Sequence, residues 1–503
     1  MDESKKKSLH PVWFFILLCF GTVIFSFIFS LLNLHGTVYN VSSSLKMSTS
    51  LVTVESLLSS KGIRFMFGQA TNNFVTFLPL GSLLVGLIGV GVANKSKLLQ
   101  SIFDKMALKV PRTVAFFLFS LLCIIMGFST DMAFVIMIPV AVVLFTSYRR
   151  NQLYGMAFAF ASVAAGSNIN LFITSLDYSI IELAKNAVLE VNNGYTYGYT
   201  GALFFTAFSS LLLAATLAGL TEFITRKKPV RINEEEDEID PKLDKKALKR
   251  VGFCFLIMVL LFTYEIIPGL PLSGVLLDDT QVMYVNKLFG ANSPFVNGIL
   301  YIVVLAFVVC SIIYAASTGQ IKNNKSVIKM FTNSLNGIGE MLILIFFASQ
   351  FIALFKYSNI GTVFSAILFG WIRNMNLSLA LLILVSILFI MIANIFVSSV
   401  ATKWQSFAPA TMSLFMKSNI TPEFVGAFYR LSSSVTNMIT PLFPYFSVFM
   451  GYVGLYYKND FTVRKCYKIV FPYFVTVVVL VLFIIFGWYI LNIPIGPKTF
   501  PNI

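Results

Sequence analysis

The chain has 503 residues, of which 57% are apolar, 15% aromatic and only 12% charged. A soluble domain carries about twice that charged fraction, and apolar runs of about 20 residues recur along the whole chain, so one soluble core is excluded and a polytopic membrane protein is indicated. The formal net charge of +15 does not point to nucleic acid, because Lys and Arg sit in short clusters between apolar segments, as cytoplasmic loops require, and no basic helix is present.

Lys5, Lys6 and Lys7 precede a first apolar run at 12–32, which places the N-terminus in the cytoplasm. That run is too long for a signal-peptide core and is read as a retained span. A polar outer stretch follows through Ser59, then a second span at 74–93. Lys95, Lys97, Lys105, Lys109 and Arg112 mark a cytoplasmic segment. The apolar region 113–146 is cut by Gly127-Phe128-Ser129-Thr130-Asp131, and its limbs are expected to be too short to span. It ends at Arg149 and Arg150, on the side where it began, which predicts a re-entrant hairpin over 113–147. A span at 154–183 is interrupted by Gly166-Ser167-Asn168-Ile169-Asn170, and another covers 200–223.

Residues 226–250 form the one strongly charged loop, with the acidic run 234–238 flanked by Lys and Arg; it reads as a flexible cytoplasmic linker, with an interaction tail as the alternative. Spans follow at 251–267, 298–316 and 337–355, then an amphipathic stretch through Trp371. A second hairpin is expected at 378–417, interrupted over 394–402. A broken span at 423–456 and a last span at 469–491 complete the chain, with Arg464, Lys465 and Lys468 placing the intervening loop inside. The chain thus divides into an N-terminal span and outer loop (1–70), a first repeat (71–225), the linker (226–250), connecting spans (251–330) and a second repeat (331–503).

The two repeats share an order of elements and, at a fixed offset, residues. Ser129 matches Ser399, Phe134 matches Trp404, Pro139 matches Pro409, Leu144 matches Leu414 and Phe145 matches Phe415. Asn168 matches Asn437 slightly out of register. The first hairpin is expected to enter from the cytoplasm and the second from outside. The predicted fold is therefore an all-α polytopic membrane protein with an inverted-topology repeat, about nine transmembrane helices and two re-entrant hairpins. Broken helices expose N–H and C=O groups that protein, water or solute must satisfy. Inward helix N-termini favour an anion and exposed carbonyls a cation, which suits ion-coupled movement of an anion.

Four polar clusters lie at membrane depth: Ser129-Thr130-Asp131; Ser167 to Asn170 with Asp177; Asn394 with Ser398 to Trp404; and Arg430 to Asn437 with Thr440 and Pro441. Arg430 costs about 2.5–3.5 kcal/mol on insertion scales. It either binds a solute carboxylate bidentately, closes an ion pair with Asp131 or Asp177, or sits at an interfacial position. Trp404 either stacks on an aromatic solute, packs the hairpin or anchors at the membrane interface. Lys403 is expected to snorkel. Ser432 and Ser434 are expected to bond back to their own helix. The five cysteines are scattered without metal spacing and read as small buried hydrophobes, and two histidines support neither a metal centre nor histidine catalysis.

These clusters resemble the AbgT family of p-aminobenzoyl-glutamate transporters. The resemblance starts at Phe77-Leu78-Pro79-Leu80-Gly81 and Gly89 to Ser96. It continues through Ser129-Thr130-Asp131, Ile138-Pro139, Ala348 to Ala353 and Tyr357 to Thr362. It is most specific at Trp404, Tyr429-Arg430, Thr436-Asn437 and Thr440-Pro441-Leu442. It implies a homodimer of nine-span protomers with a water-filled bowl facing the cytoplasm. It also implies transport of p-aminobenzoyl-glutamate or sulfonamide-type antimetabolites. By motif position it assigns a substrate site to Asp177, Trp404, Arg430 and Pro441 and a sodium site to Asn394; Asn168 and Asn437, from the polar clusters at the two helix breaks, are further candidate substrate-binding residues. Asn394, Ser398, Ser433 and Asp131 are the candidate ion-coupling residues, with sodium at Asn394 and Ser433 or a proton on Asp131 or Asp177; no other cofactor is expected. The chain departs from the family at Ser433, where the family has Asp, at Ala401, where it has Ser, and at Asn94, where it has an acidic residue.

A secondary transporter of an aromatic or dicarboxylate anion in the cytoplasmic membrane is the leading reading. A transporter of another organic anion with altered coupling is the alternative. A channel is separated from both by uphill, counter-ion-dependent flux, and a membrane enzyme needs a nucleophile with a base or a metal cluster. No nucleotide-binding loop is evident, which disfavours ATP drive.

Overall fold

The computed structural model describes residues 9–41, 47–226, 240–290, 292–375, 377–457 and 461–503. Helix α1 (Pro11–Leu31) leads to two antiparallel strands, β1 (His35–Val41) and β2 (Met47–Thr53). Short helices α2 (Ser60–Gly68) and α3 (Ala70–Val75) precede α4 (Leu78–Lys95), α5 (Leu98–Lys109), α6 (Arg112–Ile125) and α7 (Thr130–Ser147). Then come α8 (Gln152–Gly166), α9 (Ser175–Val191), α10 (Leu203–Thr225), α11 (Pro241–Tyr264), α12 (Tyr284–Phe289), α13 (Pro294–Ser317) and α14 (Asn324–Ser334). The chain ends with α15 (Gly339–Tyr357), α16 (Ile360–Asn374), α17 (Leu379–Phe396), α18 (Val400–Lys417), α19 (Pro422–Val435), α20 (Pro444–Tyr456) and α21 (Val463–Leu491).

The order α4 to α10 recurs as α15 to α21: long helix, short helix, two hairpin limbs, a helix broken into two, and a closing helix. The hairpin turns fall at Ser129 and at Val397 to Ser399, as the sequence predicts. The second limbs α7 and α18 are each 18 residues long and carry their proline, Pro139 and Pro409, at the tenth position.

Several expectations need correction. The predicted helical membrane architecture stands, and one short strand pair is added to it: β1 and β2 run antiparallel, His35 opposite Thr53, in what reads as a polar outer stretch. The β-branched run through Thr53 and Val54 favours extended backbone, and Val54 buries with Ile360 and Val363. The second span begins at Leu78 rather than Phe74, after α2 and α3. The hairpin limbs are not all short: among the described residues nine helices are long and apolar enough to cross a membrane, and these include α7 and α17. Eighteen residues rise about 27 Å, close to the hydrocarbon thickness. The broken spans are instead pairs of shorter helices, α8 with α9 and α19 with α20. Of the linker, 227–239 lie outside the described residues, whereas Pro241 to Arg250 are helical and continuous with the next span. Asp244 holds that helical extension, accepting from Ser101 and Tyr314 Oη (2.5 Å each) and pairing with Lys105.

The chain forms two compact units. The first comprises 1–77, 164–213 and 341–503, the second 78–163 and 214–340. In the second unit α4 packs against α7, α13 and α14. A Cβ on Gly86 would meet Val135 Cγ1 at 2.1 Å, so only glycine permits the close approach of α4 and α7. Arg150, which reads as a marker of the cytoplasmic side, is buried and donates to the carbonyl oxygens of Thr225 (3.1 Å) and Arg226 (3.3 Å) at the end of α10. A guanidinium there satisfies orphan helix carbonyls. In the first unit α18 packs on α9 and α16, and α17 on α16 and α19.

Candidate functional site

The first unit holds a continuous polar network, built at two helix breaks and the second hairpin. At the first break α8 ends in Gly166, and the chain turns through Ser167 to Asn170 before α9 begins. Thr174 and Asp177 form a capping box: Asp177 Oδ2 accepts from the Thr174 backbone N–H and from its hydroxyl, both at 2.8 Å. The carboxylate thereby sits at a helix N-terminus, where a negative charge is favoured.

Arg430 reaches this carboxylate from α19. Its guanidinium forks onto Asp177, with one bond to Oδ1 and the other, at 3.3 Å, to Oδ2. Its Nε donates to the Asn168 carbonyl (2.8 Å), one of the groups freed where α8 breaks. Both side chains are buried. Of the readings open in the sequence, the structure shows the ion pair with Asp177. One turn on, Ser433 Oγ accepts from Asn168 Nδ2 (3.0 Å) and donates to the Arg430 carbonyl (3.0 Å). Ser434 also bonds back to its helix, at Leu431, whereas Ser432 Oγ has no partner among the described residues.

The second break follows Val435, where a 3-10 turn over Thr436–Met438 ends the helix before Pro441 and α20. The second hairpin is stitched to it. Asn394 Nδ2 donates to Thr436 Oγ1 (2.8 Å) and Asn437 Oδ1 (2.9 Å), Thr440 Oγ1 donates to the Ile395 carbonyl (2.6 Å), and Ser398 Oγ to the Leu442 carbonyl (3.4 Å). Asn437 Nδ2 extends the network to Ser167 (3.5 Å), which donates to Asn168 Oδ1 (3.4 Å). Pro441 is half-buried at the break, next to the Leu442 carbonyl that Ser398 holds.

Lys403 corrects its expectation. It is 1% exposed and does not snorkel; its ammonium donates to Asn394 Oδ1, on the other limb of the same hairpin. The turn at Val397 to Ser399 brings these residues, nine apart in sequence, face to face, so the stem folds inward. Trp404 is fully buried. Its Nε1 donates to the Ile180 carbonyl (2.7 Å), and its ring lies 4.5 Å from that of Tyr429, so it locks the hairpin against α9. Asp131 belongs to the second unit, where Ser82 Oγ donates to Oδ2 (3.1 Å).

The network thus joins Asp177, Arg430, Asn168, Asn437, Asn394, Ser398 and Ser433, with Trp404 packed beside it. A buried Glu423 lies outside it, two turns before Arg430 on α19, accepting from Tyr195 Oη (2.7 Å) and the Gly198 N–H (3.3 Å). Sequence reasoning missed Glu423; its acidic side chain at the start of a broken span was the available signal. As they stand, Asn394 and Ser433 do not fit a sodium ion. The Asn394 oxygen faces an ammonium, the Ser433 oxygen is bonded to Asn168 and Arg430, and no carboxylate among the described residues joins them. Among the described residues no His, Cys, Asp and Glu cluster suited to a metal ion occurs.

Residues 4–502 match the family described as "AbgT putative transporter family". The chain belongs to the AbgT family. It is 25% identical over 514 residues to the p-aminobenzoyl-glutamate transport protein of Escherichia coli, covering 100% of this chain and 96% of that protein. It is similar to the solved structure of MtrF of Neisseria gonorrhoeae, described as illuminating a class of antimetabolite efflux pumps, with 28% identity, a TM-score of 0.50 and 98% of each chain covered. It also matches the YdaH transporter of Alcanivorax borkumensis at 26% identity, with a TM-score of 0.49, covering 97% of this chain and 100% of that one. The AbgT chain is a multi-pass membrane protein of a transporter family.

Proposed function

We propose that the protein is a secondary transporter that moves a small aromatic or dicarboxylate anion, of the p-aminobenzoyl-glutamate or sulfonamide antimetabolite type, coupled to a sodium or proton gradient. The observation that carries this reading is the buried network of Arg430, Asp177, Asn168, Asn437, Asn394 and Lys403 at two helix breaks. Charged groups at such depth are retained where a polar solute or ion passes. The Escherichia coli protein and MtrF, by what they are described as transporting, support the solute class. In this reading the repeats are inverted, the N-terminus is cytoplasmic, the protein sits as a homodimer in the cytoplasmic membrane, and the direction of transport is open.

A second reading, a different organic anion with altered ion coupling, is favoured by Ser433 and by the poor fit of Asn394 and Ser433 to sodium. Uptake into proteoliposomes under imposed sodium and proton gradients, over a panel of aromatic amides and dicarboxylates, tests both. Concentrative uptake of p-aminobenzoyl-glutamate supports the first reading, and concentrative uptake only of another anion supports the second. Flux that never exceeds equilibrium indicates a channel and refutes both.

A further inference from the structure

We propose that Lys403 is the group that recognises the carboxylate of the transported anion. The proposal rests on the transporter reading above and assigns its anion-binding residue.

Arg430 carries the fork suited to a carboxylate, but Asp177 already fills it. The pair is neutral, and its third bond goes to the Asn168 carbonyl. Lys403 is different. Its ammonium has three N–H donors, and its hydrogen-bond partner among the described residues is one neutral amide oxygen, on Asn394. No Asp or Glu among those residues forms a salt bridge with it. The other buried carboxylate of this unit, Glu423, begins α19, whereas Asn394 binds Thr436, just past the end of that helix. Thirteen residues separate these positions, about 20 Å along a helix, too far for an ion pair.

A buried ammonium without a counter-ion is expensive, and its environment is made for a negative charge to arrive. Asn394 is positioned by Thr436 and Asn437, so the ammonium is aimed rather than loose. The route is short. Ser399 and Thr402 at the hairpin tip are exposed, and Lys403 is the next residue inward. An arriving carboxylate uses the remaining N–H groups and neutralises the charge.

The test measures binding and uptake in the full-length protein, using p-aminobenzoyl-glutamate and its uncharged diamide as probes. Lys403→Met keeps the stem and removes the charge. Lys403→Gln keeps hydrogen-bond donors and removes the charge. Both variants are expected to raise the Kd and KM for the dianion by about tenfold or more, as for a lost charge-assisted bond. Affinity for the diamide stays unchanged, and Lys403→Arg restores most of the dianion affinity. A purely structural lysine would alter both probes equally. Dianion affinity equal to wild type in either folded variant overturns the proposal, as does a parallel loss for the diamide. If Lys403→Met does not fold, Lys403→Gln still decides. If the wild type binds the dianion but does not transport it, the transporter reading falls while the binding comparison still judges Lys403.

Discussion

Replacing Arg430 by Ala strands the Asp177 carboxylate, which is 8% exposed and loses both guanidinium bonds. Breaking a buried ion pair from one side costs about 3–5 kcal/mol, because the remaining charge is left uncompensated. Asp177→Ala strands the guanidinium and also removes the capping box of α9, about 0.5–2 kcal/mol more. The double variant leaves neither charge behind. It is therefore expected to cost less than the sum of the singles, by about 2–3 kcal/mol of coupling. Equilibrium unfolding of the purified protein in mixed micelles measures all three. Arg430→Lys adds a functional reading: an ammonium keeps the charge but cannot span both oxygens of Asp177 while also holding the Asn168 carbonyl. Both Arg430→Lys and Arg430→Ala are expected to impair uptake. Additive single variants would refute the assigned ion pair, and normal kinetics in Arg430→Lys would reduce Arg430 to a plain charge.

Ser433→Asp places a carboxylate in the Asn168–Ser433 contact and is expected to strengthen the sodium dependence of uptake, measured at fixed pH and membrane potential; an unchanged dependence contradicts the role given to this position. Trp404→Phe leaves the Ile180 carbonyl without its 2.7 Å donor and is expected to cost about 1–3 kcal/mol in the same unfolding assay. Gly86→Ala drives a Cβ into Val135, for about 1–3 kcal/mol of overpacking, and Val135→Ala in the same chain should recover most of it. Cysteines placed at the bases of the two hairpins, below Ser129 and Ser399, should be labelled from opposite sides of the membrane; labelling from one side would end the inverted-repeat reading.

The sequence by itself marked where the helices break. Gly166 to Asn170, Gly127 to Asp131 and Asn394 to Thr402 bring polar groups into apolar stretches, and lipid forbids this unless protein or solute satisfies them. The repeated proline of α7 and α18 was equally legible, because a local residue pattern dictates local backbone. For Arg430 the sequence left open a solute carboxylate, Asp131, Asp177 or an interfacial position, and only the tertiary structure placed the guanidinium on Asp177, 253 residues away. The same holds for Trp404 and the Ile180 carbonyl, 224 residues apart. Lys403 and Arg150 read as snorkelling and side-marking cations, since a lone basic residue beside an apolar run has that pattern. Folding instead brought an amide to one and a helix end to the other. Polarity and length are properties of a segment and can be read from it. Which polar groups satisfy one another depends on which breaks the fold sets side by side, and that is decided only when the helices pack.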